Sequence, residues 1–129
     1  DLFALMQGQS RTETRALAAA AVSDLDQFRA LPSESDLERR RKSGLSGAQE
    51  SLLQRWGYPY VMSEFRFHMT LSQRVTDTGE VEMIRAALRD HFTSVLDRPQ
   101  VIDAIAVFRE DTPGAPFIQV ERFPLGSAA

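Results

Sequence analysis

The sequence contains no cysteine, which excludes a disulfide framework, a thiolate metal site and a cysteine nucleophile. It has no excess of basic residues, and its net charge of -3 argues against electrostatically driven binding to duplex nucleic acid or to an anionic membrane. The longest apolar run, Ala16–Val22, is far shorter than the roughly 20 residues that a membrane span needs, and no basic and apolar leader precedes it. These absences predict a soluble, cytoplasmic protein.

What is present is ordinary globular composition: 129 residues, 43% hydrophobic and 26% charged, which suits one domain with a single core. Periodicity, caps and turn signals predict the order of elements. They are a strand over Asp1–Met6, a turn at Gly8-Gln9-Ser10, helices over Thr12–Phe28, from Ser35 to Gly44 and from Ser46 to Gly57, a strand over Glu64–Ser72, a helix from Asp77 through Val95, and strands over Val101–Arg109 and Phe117–Phe123 joined at Thr112-Pro113-Gly114. Helices on one face of a largely antiparallel sheet fit this order, so we expect an α+β fold.

The predicted strand Glu64–Ser72 alternates apolar and polar residues without a break, so its two faces differ in chemistry. The apolar face is expected to lie beneath the helices; its members are Phe65, Phe67, Met69 and Leu71. The polar face is a row of one guanidinium, one imidazole and two hydroxyls; its members are Arg66, His68, Thr70 and Ser72. These groups can hold an anion, transfer a proton and donate to phosphoryl oxygens. The row favours an anionic, oxygen-rich ligand, although any solvated strand face is polar.

Other polar residues carry weaker signals. His91 lies at the border of the apolar stripe of the last helix, a position typical of packing or surface histidines. The spacing of the two histidines gives no zinc signature, so we expect neither a metal nor another cofactor. The basic run Arg39–Lys42 is flanked by acidic residues, which favours a solvated helix surface over a nucleic-acid interface. Tyr60 shares the strand parity of His68 if the extended run is continuous, so its hydroxyl is a candidate ligand contact.

One long segment resembles a known family. It runs Arg55-Trp56-Gly57-Tyr58-Pro59-Tyr60-Val61-Met62-Ser63-Glu64-Phe65-Arg66-Phe67-His68-Met69-Thr70-Leu71. This segment closely resembles the second catalytic strand of a bacterial branch of the two-histidine (2H) phosphoesterase superfamily, a branch named for phosphonate metabolism. Asp26–Leu31, Leu37–Arg41, Ala104–Phe108 and Pro113–Phe117 also resemble it, so that the resemblance covers essentially all of Asp1–Leu125.

The resemblance implies that residues 1–125 form one lobe of a two-lobed fold and that residues 126–129 form a tail. The family has two His-x-Thr/Ser motifs that face each other across a groove, and His68-Met69-Thr70 matches one of them. The implied activity is hydrolysis of a phosphodiester, in particular a cyclic one such as a cyclic sugar phosphate. His68 would act as acid or base, Thr70 would bind the phosphoryl group, and no metal would be needed. Arg66, Ser72 and Tyr60 are added as substrate contacts from their placement alone.

The resemblance is to the C-terminal part of the family protein, so the part with the first motif is expected to be missing. A strand that begins at Asp1 without a lead-in agrees with a cut inside a larger protein. We therefore expect this chain to associate with its N-terminal lobe or to form a homodimer, and to be a weak enzyme or none by itself. The alternative is a non-catalytic module that binds phosphate groups or RNA ends in the same groove.

Overall fold

A computed structural model describes residues 1–8, 12–96 and 98–126, and within them it confirms an α+β fold. The helices are α1 (Thr12–Leu25), α2 (Glu34–Arg41), α3 (Gly47–Trp56) and α4 (Thr78–Leu96), and the strands are β1 (Ala4–Met6), β2 (His68–Thr70), β3 (Ala104–Arg109) and β4 (Ile118–Pro124). Short 3₁₀ helices occupy Asp26–Phe28 and Met62–Glu64. Among the described helices, none combines the length and the apolar character that crossing a membrane would take.

The chain divides into two compact units, Asp1–Val81 and Glu82–Ala129. The first unit contains β1 paired antiparallel with β2, together with α1, α2 and α3. The second contains β3 paired antiparallel with β4, and α4 spans the boundary. The expected antiparallel pairing is therefore confirmed, but the described strands form two two-stranded sheets. The predicted turn at Gly8-Gln9-Ser10 and the tail lie largely outside the described residues.

Helix α3 begins and ends where its local sequence predicts. The Ser46 hydroxyl accepts a hydrogen bond from the Gln49 backbone N–H at 3.2 Å, and the Gln49 side chain accepts one from the Ser46 N–H at 3.0 Å. This reciprocal capping box satisfies two backbone donors that a helix start leaves open. At the other end Gly57 has φ 71°, a left-handed conformation that glycine adopts without steric cost, and its N–H bonds to Leu53 O at 2.8 Å.

Helix α2 begins earlier than predicted. The sequence prediction placed the cap at Ser35, but the cap is Ser33, whose hydroxyl accepts from the Asp36 N–H at 3.2 Å. Asp36 returns the bond by accepting from the Ser33 N–H at 3.4 Å. The box forms here because Asp36 is the acidic residue three positions after Ser33, whereas Ser35 already lies in the first turn.

Helix α4 and the β3–β4 hairpin largely follow their sequence signals. The Asp77 carboxylate accepts from the Glu80 N–H at 2.9 Å and caps α4 as predicted. We expected the apolar stripe of this helix to be buried from Val81 to Val95; Val81 is buried, but Val95 in the last turn is exposed. The hairpin turns at Thr112-Pro113-Gly114, where Gly114 has φ 86° and Ala115 N–H bonds to Thr112 O at 2.9 Å, as a type II turn requires.

The prediction of a long strand over Glu64–Ser72 is wrong, because only His68–Thr70 is a strand. Residues Met62–Glu64 form a 3₁₀ turn instead, entered through a left-handed Met62 with φ 51°. Regular pairing with β1 covers only these three residues, which lie opposite Ala4–Met6. The predicted burial of its apolar face is wrong for Met69, which is 49% exposed, while Phe65, Phe67 and Leu71 are half-buried.

The fully buried Leu53 generates a prediction about stability. Substituting Leu53→Ala removes packed atoms from the centre of the first unit and leaves a cavity, so unfolding in urea should lose about 2–5 kcal/mol. Leu31→Ala is the control, because Leu31 is 88% exposed and its truncation leaves no cavity. Equal effects of the two substitutions would show that Leu53 is not at a packed core.

Candidate functional site

Strand β2 carries the His-x-Thr pair, and its register with β1 decides where that pair points. Met6 lies opposite His68, and Ala4 lies opposite Thr70. Residues directly opposite each other in an antiparallel pair share a face, so His68 and Thr70 lie on one face with Met6 and Ala4. Both His68 and Thr70 are exposed. The two polar side chains are therefore presented together on an open face, about 6.6–6.8 Å apart along the strand.

Hydrogen bonds beyond the three-residue ladder extend the pairing of β1 with β2. The Leu71 N–H donates to Phe3 O at 2.8 Å, and the Phe3 N–H donates to Ser72 Oγ at 3.1 Å. Farther along, the Val75 N–H donates to Asp1 O at 2.7 Å, and the Asp1 ammonium donates to Val75 O. The site strand is thus fixed along its C-terminal side by a segment far away in sequence.

The His68 ring is oriented by a local hydrogen bond. Its Nδ1 lies 2.9 Å from the backbone oxygen of Arg66, and a carbonyl oxygen can only accept. In the neutral ring Nδ1 must therefore carry the proton, which leaves the lone pair on Nε2. The geometry gives His68 a basic nitrogen on the side of the ring away from its own backbone contact.

Two of the predicted substrate contacts, Arg66 and Ser72, have different surroundings. Arg66 is exposed, lies just before β2, and makes no ion pair with any residue that the structure describes. Ser72 is half-buried, and its hydroxyl already accepts from Phe3 N–H and donates to Gln73 O at 2.8 Å. Its proton is therefore engaged in holding the chain, and a role for Ser72 as a donor to substrate would require that bond to break.

The parity argument for Tyr60 does not hold, because the extended run is interrupted by the 3₁₀ turn at Met62–Glu64. The ring of Tyr60 packs edge-on against Tyr58, with centroids 5.7 Å apart. Nothing in the register of β2 therefore links Tyr60 to His68, and its role as a substrate contact stays a prediction from sequence.

Two arginines of the basic run Arg39–Lys42 form ion pairs within the first unit. Arg39 pairs with Asp36 at 2.7 Å, within the acidic flank that the sequence indicated. Arg41 reaches Glu50 of α3, with Nη2 to Oε1 at 2.8 Å and Nε to both carboxylate oxygens at 3.2 Å. Arg41 therefore joins α2 to α3.

One aromatic contact of the basic run was missed by the sequence interpretation. The Arg40 guanidinium lies over the ring of Tyr58, 4.5 Å from its centroid, although eighteen positions separate the two residues in the sequence. Such a pair can be identified only from the structure, because the two residues have no fixed spacing in the sequence.

A second His-x-Thr pattern, His91-Phe92-Thr93, was also missed. It lies inside α4, where successive side chains turn by about 100°, so positions i and i+2 point to different sides. The Thr93 hydroxyl donates to Arg89 O at 2.7 Å, and the ring of His91 packs edge-on against Phe92. A spacing of two residues therefore places His68 and Thr70 on one face of a strand, but it places His91 and Thr93 on different sides of a helix.

No cluster of three or more metal-ligating side chains occurs among residues 1–8, 12–96 and 98–126.

Comparison with known proteins places the chain among bacterial relatives. A family model described as "Protein of unknown function (DUF1045)" matches residues 1–118. A protein of Janthinobacterium sp. (strain Marseille) named ribose 1,5-bisphosphate phosphokinase PhnN is 40% identical over 127 residues, which cover 96% of this chain and 28% of that protein. A protein of Laribacter hongkongensis (strain HLHK9) with the same name is 33% identical over 114 residues, covering 88% of this chain and 25% of that protein. The chain thus spans about a quarter of these relatives' length. No solved structure matches it significantly.

The orientation of His68 generates a spectroscopic prediction. When the His68 ring is neutral, its ¹⁵N NMR signals should show a proton on Nδ1 and none on Nε2, because Arg66 O accepts the Nδ1 proton. His91 is an internal control, since no hydrogen bond from its ring to a carbonyl fixes its tautomer in the described part of the chain. A neutral His68 protonated at Nε2 would contradict the geometry.

The Arg41–Glu50 pair generates a prediction about acid stability. The hydrogen bond from Arg41, assisted by Gln54, holds the pKa of Glu50 below its ordinary value of 4.5. A lowered pKa means that the pair stabilises the fold above pH 4.5 and that this contribution is lost as the pH falls through the folded-state pKa.

The melting temperature of Arg41→Gln should therefore lie below that of the wild type at neutral pH, and the difference should shrink below about pH 4.5. Lys42→Gln serves as the control, because Lys42 makes no ion pair with a described residue. A difference that stays constant from pH 7 to pH 3 would be at odds with an ionic contribution from Glu50.

Proposed function

This chain belongs to the DUF1045 family, whose description assigns no activity, and we propose that it supplies one half of the active site of a metal-independent phosphodiesterase. The observation that carries the proposal is the pairing of His68 and Thr70 on one exposed strand face, with Nδ1 of His68 bound to Arg66 O. In this proposal the chain is one lobe of a two-histidine phosphoesterase. The other lobe, from the intact protein or from a second copy, provides the opposing histidine.

The chemistry assigned to each group follows from its atoms. A water molecule or substrate hydroxyl attacks phosphorus, one histidine accepts its proton, and the other protonates the oxygen that leaves as the P–O bond breaks. The free Nε2 of His68 suits either transfer. The Thr70 hydroxyl donates to a phosphoryl oxygen, and the Arg66 guanidinium offsets the negative charge that accumulates in the transition state.

The names of the relatives suggest which substrates to test. Both are named for phosphorylation of ribose 1,5-bisphosphate, a sugar phosphate. This sequence has no Gly-x-x-x-x-Gly-Lys-Ser/Thr phosphate loop, so we assign the kinase activity to other parts of those longer proteins. The shared segment would then act on a related compound, a cyclic phosphodiester of a sugar in phosphonate metabolism.

Substitution of His68 tests the activity in the intact protein with a panel of cyclic sugar phosphates and cyclic nucleotides. His68→Ala should lower turnover by roughly 10²–10⁴-fold, the usual contribution of a positioned proton-transfer group, with the fold preserved. Thr70→Val should lower both turnover and substrate affinity, because it removes a donor to the phosphoryl group. Chelators should leave the rate unchanged.

Two matched controls separate a site effect from a general one. His91→Ala removes the helical histidine, and Thr76→Val removes an exposed hydroxyl from the loop after β2; neither should change turnover. Undiminished turnover in His68→Ala would overturn the proposal. If the intact wild-type protein binds a cyclic phosphate but does not turn it over, the non-catalytic phosphate-binding alternative is favoured.

A further inference from the structure

A short turn leads into the site strand and precedes the carbonyl that orients His68. Residues Met62–Glu64 form a 3₁₀ turn, and regular pairing with β1 begins at His68, so residues 65–67 connect the turn to the strand. The carbonyl at His68 Nδ1 belongs to Arg66, in the middle of this connection. Because Arg66 precedes the paired residues, the position of its carbonyl depends on the turn as well as on the strand.

The turn contains a strained residue. Met62 has φ 51°, and no other non-glycine residue in the described ranges 1–8, 12–96 and 98–126 has a positive φ. In the left-handed region Cβ crowds the backbone, and such a conformation persists only where surrounding contacts over-determine it. The bonds within the turn, from Glu64 N–H to Val61 O at 3.0 Å and from Phe65 N–H to Met62 O at 3.2 Å, are local. Contacts from other elements are therefore needed to hold it.

Side chains of two helices provide these contacts. From α3, Gln49 Nε2 donates to Glu64 Oε2 at 2.9 Å, and both side chains are half-buried. From α1, Arg15 Nη2 donates to Ser63 O at 3.2 Å. The oxygen of the Gln49 amide is already fixed by the capping box, because it accepts from Ser46 N–H. The start of α3 thus holds the amide whose nitrogen binds the turn.

From these contacts we propose that Gln49 and Glu64 are positioning residues for the candidate catalytic histidine. Their hydrogen bond fixes the turn, the turn fixes the carbonyl of Arg66, and this carbonyl holds the proton on Nδ1 of the His68 ring. Nε2 is then free for proton transfer in every molecule rather than in a fraction of them. The effect on turnover rests on the proposed function, whereas the effect on the ring does not.

Gln49→Glu breaks this bond with almost no change of shape. Glutamate is a good third residue of a capping box and still accepts from Ser46 N–H, but its second oxygen faces the Glu64 carboxylate and cannot donate. The ¹⁵N NMR signals of the neutral His68 ring should then show a loss of the Nδ1-protonated form and a gain of the Nε2-protonated form. Arg15→Met removes the other contact from an exposed position and should shift the signals in the same direction.

A reciprocal exchange and a matched control test whether the bond itself is responsible. Adding Glu64→Gln to Gln49→Glu restores a donor opposite an acceptor, so the double variant should regain the wild-type ring signals. Glu64→Gln alone should leave them unchanged, because its amide oxygen still accepts from Gln49. Gln54→Glu is the control: Gln54 Nε2 donates to Glu50 Oε1 at 2.9 Å within α3, so the same chemical change there should not affect His68.

Turnover of a cyclic phosphate by the intact protein tests the catalytic consequence. Gln49→Glu should lower kcat by roughly 10–100-fold, because a misplacement of about 1 Å can cost that much in rate. KM should change less, since Thr70 lies in the paired strand opposite Ala4 and keeps its place. The double variant should regain most of the lost kcat.

The proposal is overturned if Gln49→Glu and Arg15→Met both leave the His68 signals as in the wild type, if Gln54→Glu shifts them as much, or if the double variant does not restore them. A shift that the double variant reverses supports the positioning role even without turnover, an outcome that would count against the proposed function alone. Loss of turnover in His68→Ala with unchanged ring signals in Gln49→Glu and Arg15→Met would support the proposed function and refute the positioning role.

Discussion

The pairing of β1 with β2 is the constraint on which the rest of the site depends. Each strand has only three residues, and the two are joined through all of α1, α2 and α3. Closing so long a loop costs conformational entropy, although the cost grows only with the logarithm of its length. The extra hydrogen bonds from Phe3 and Asp1 to the chain after β2 offset part of that cost. They carry the pairing beyond the three-residue ladder and so hold the His-x-Thr strand against its neighbour.

The position of His68 depends on a contact that is distant in sequence, whereas the orientation of its ring depends on a local one. The long-range pairing decides which face His68 lies on, because its partner in the register is Met6. The direction of its ring comes from a bond to Arg66, only two residues away. A proton-transfer group needs both, since its pKa and reach matter only if the correct nitrogen faces the substrate.

The sequence predicted local features well and long-range features poorly. The caps of α3 and α4 and the turn before β4 were predictable, because each depends on residues three positions apart. The long strand at Glu64–Ser72 was not, because alternation alone does not show that Met62 turns left-handed. The prediction that His68 and Thr70 share a face is nevertheless correct, since it needs only three extended residues. The contact of Arg40 with Tyr58 had no sequence signal at all.

The left-handed end of α3 has a consequence for how this region can tolerate change. A Cβ added at Gly57 would lie 3.0 Å from Arg29 Nη1, in a backbone conformation that other residues rarely adopt. The same guanidinium bonds the Arg55 carbonyl at the negative end of the helix dipole. The end of the helix and the position of the half-buried Arg29 guanidinium are therefore coupled through one steric contact and one hydrogen bond. A side chain at position 57 would therefore carry backbone strain and would also press on Arg29, so a substitution at the end of α3 would be felt in the segment that follows α1.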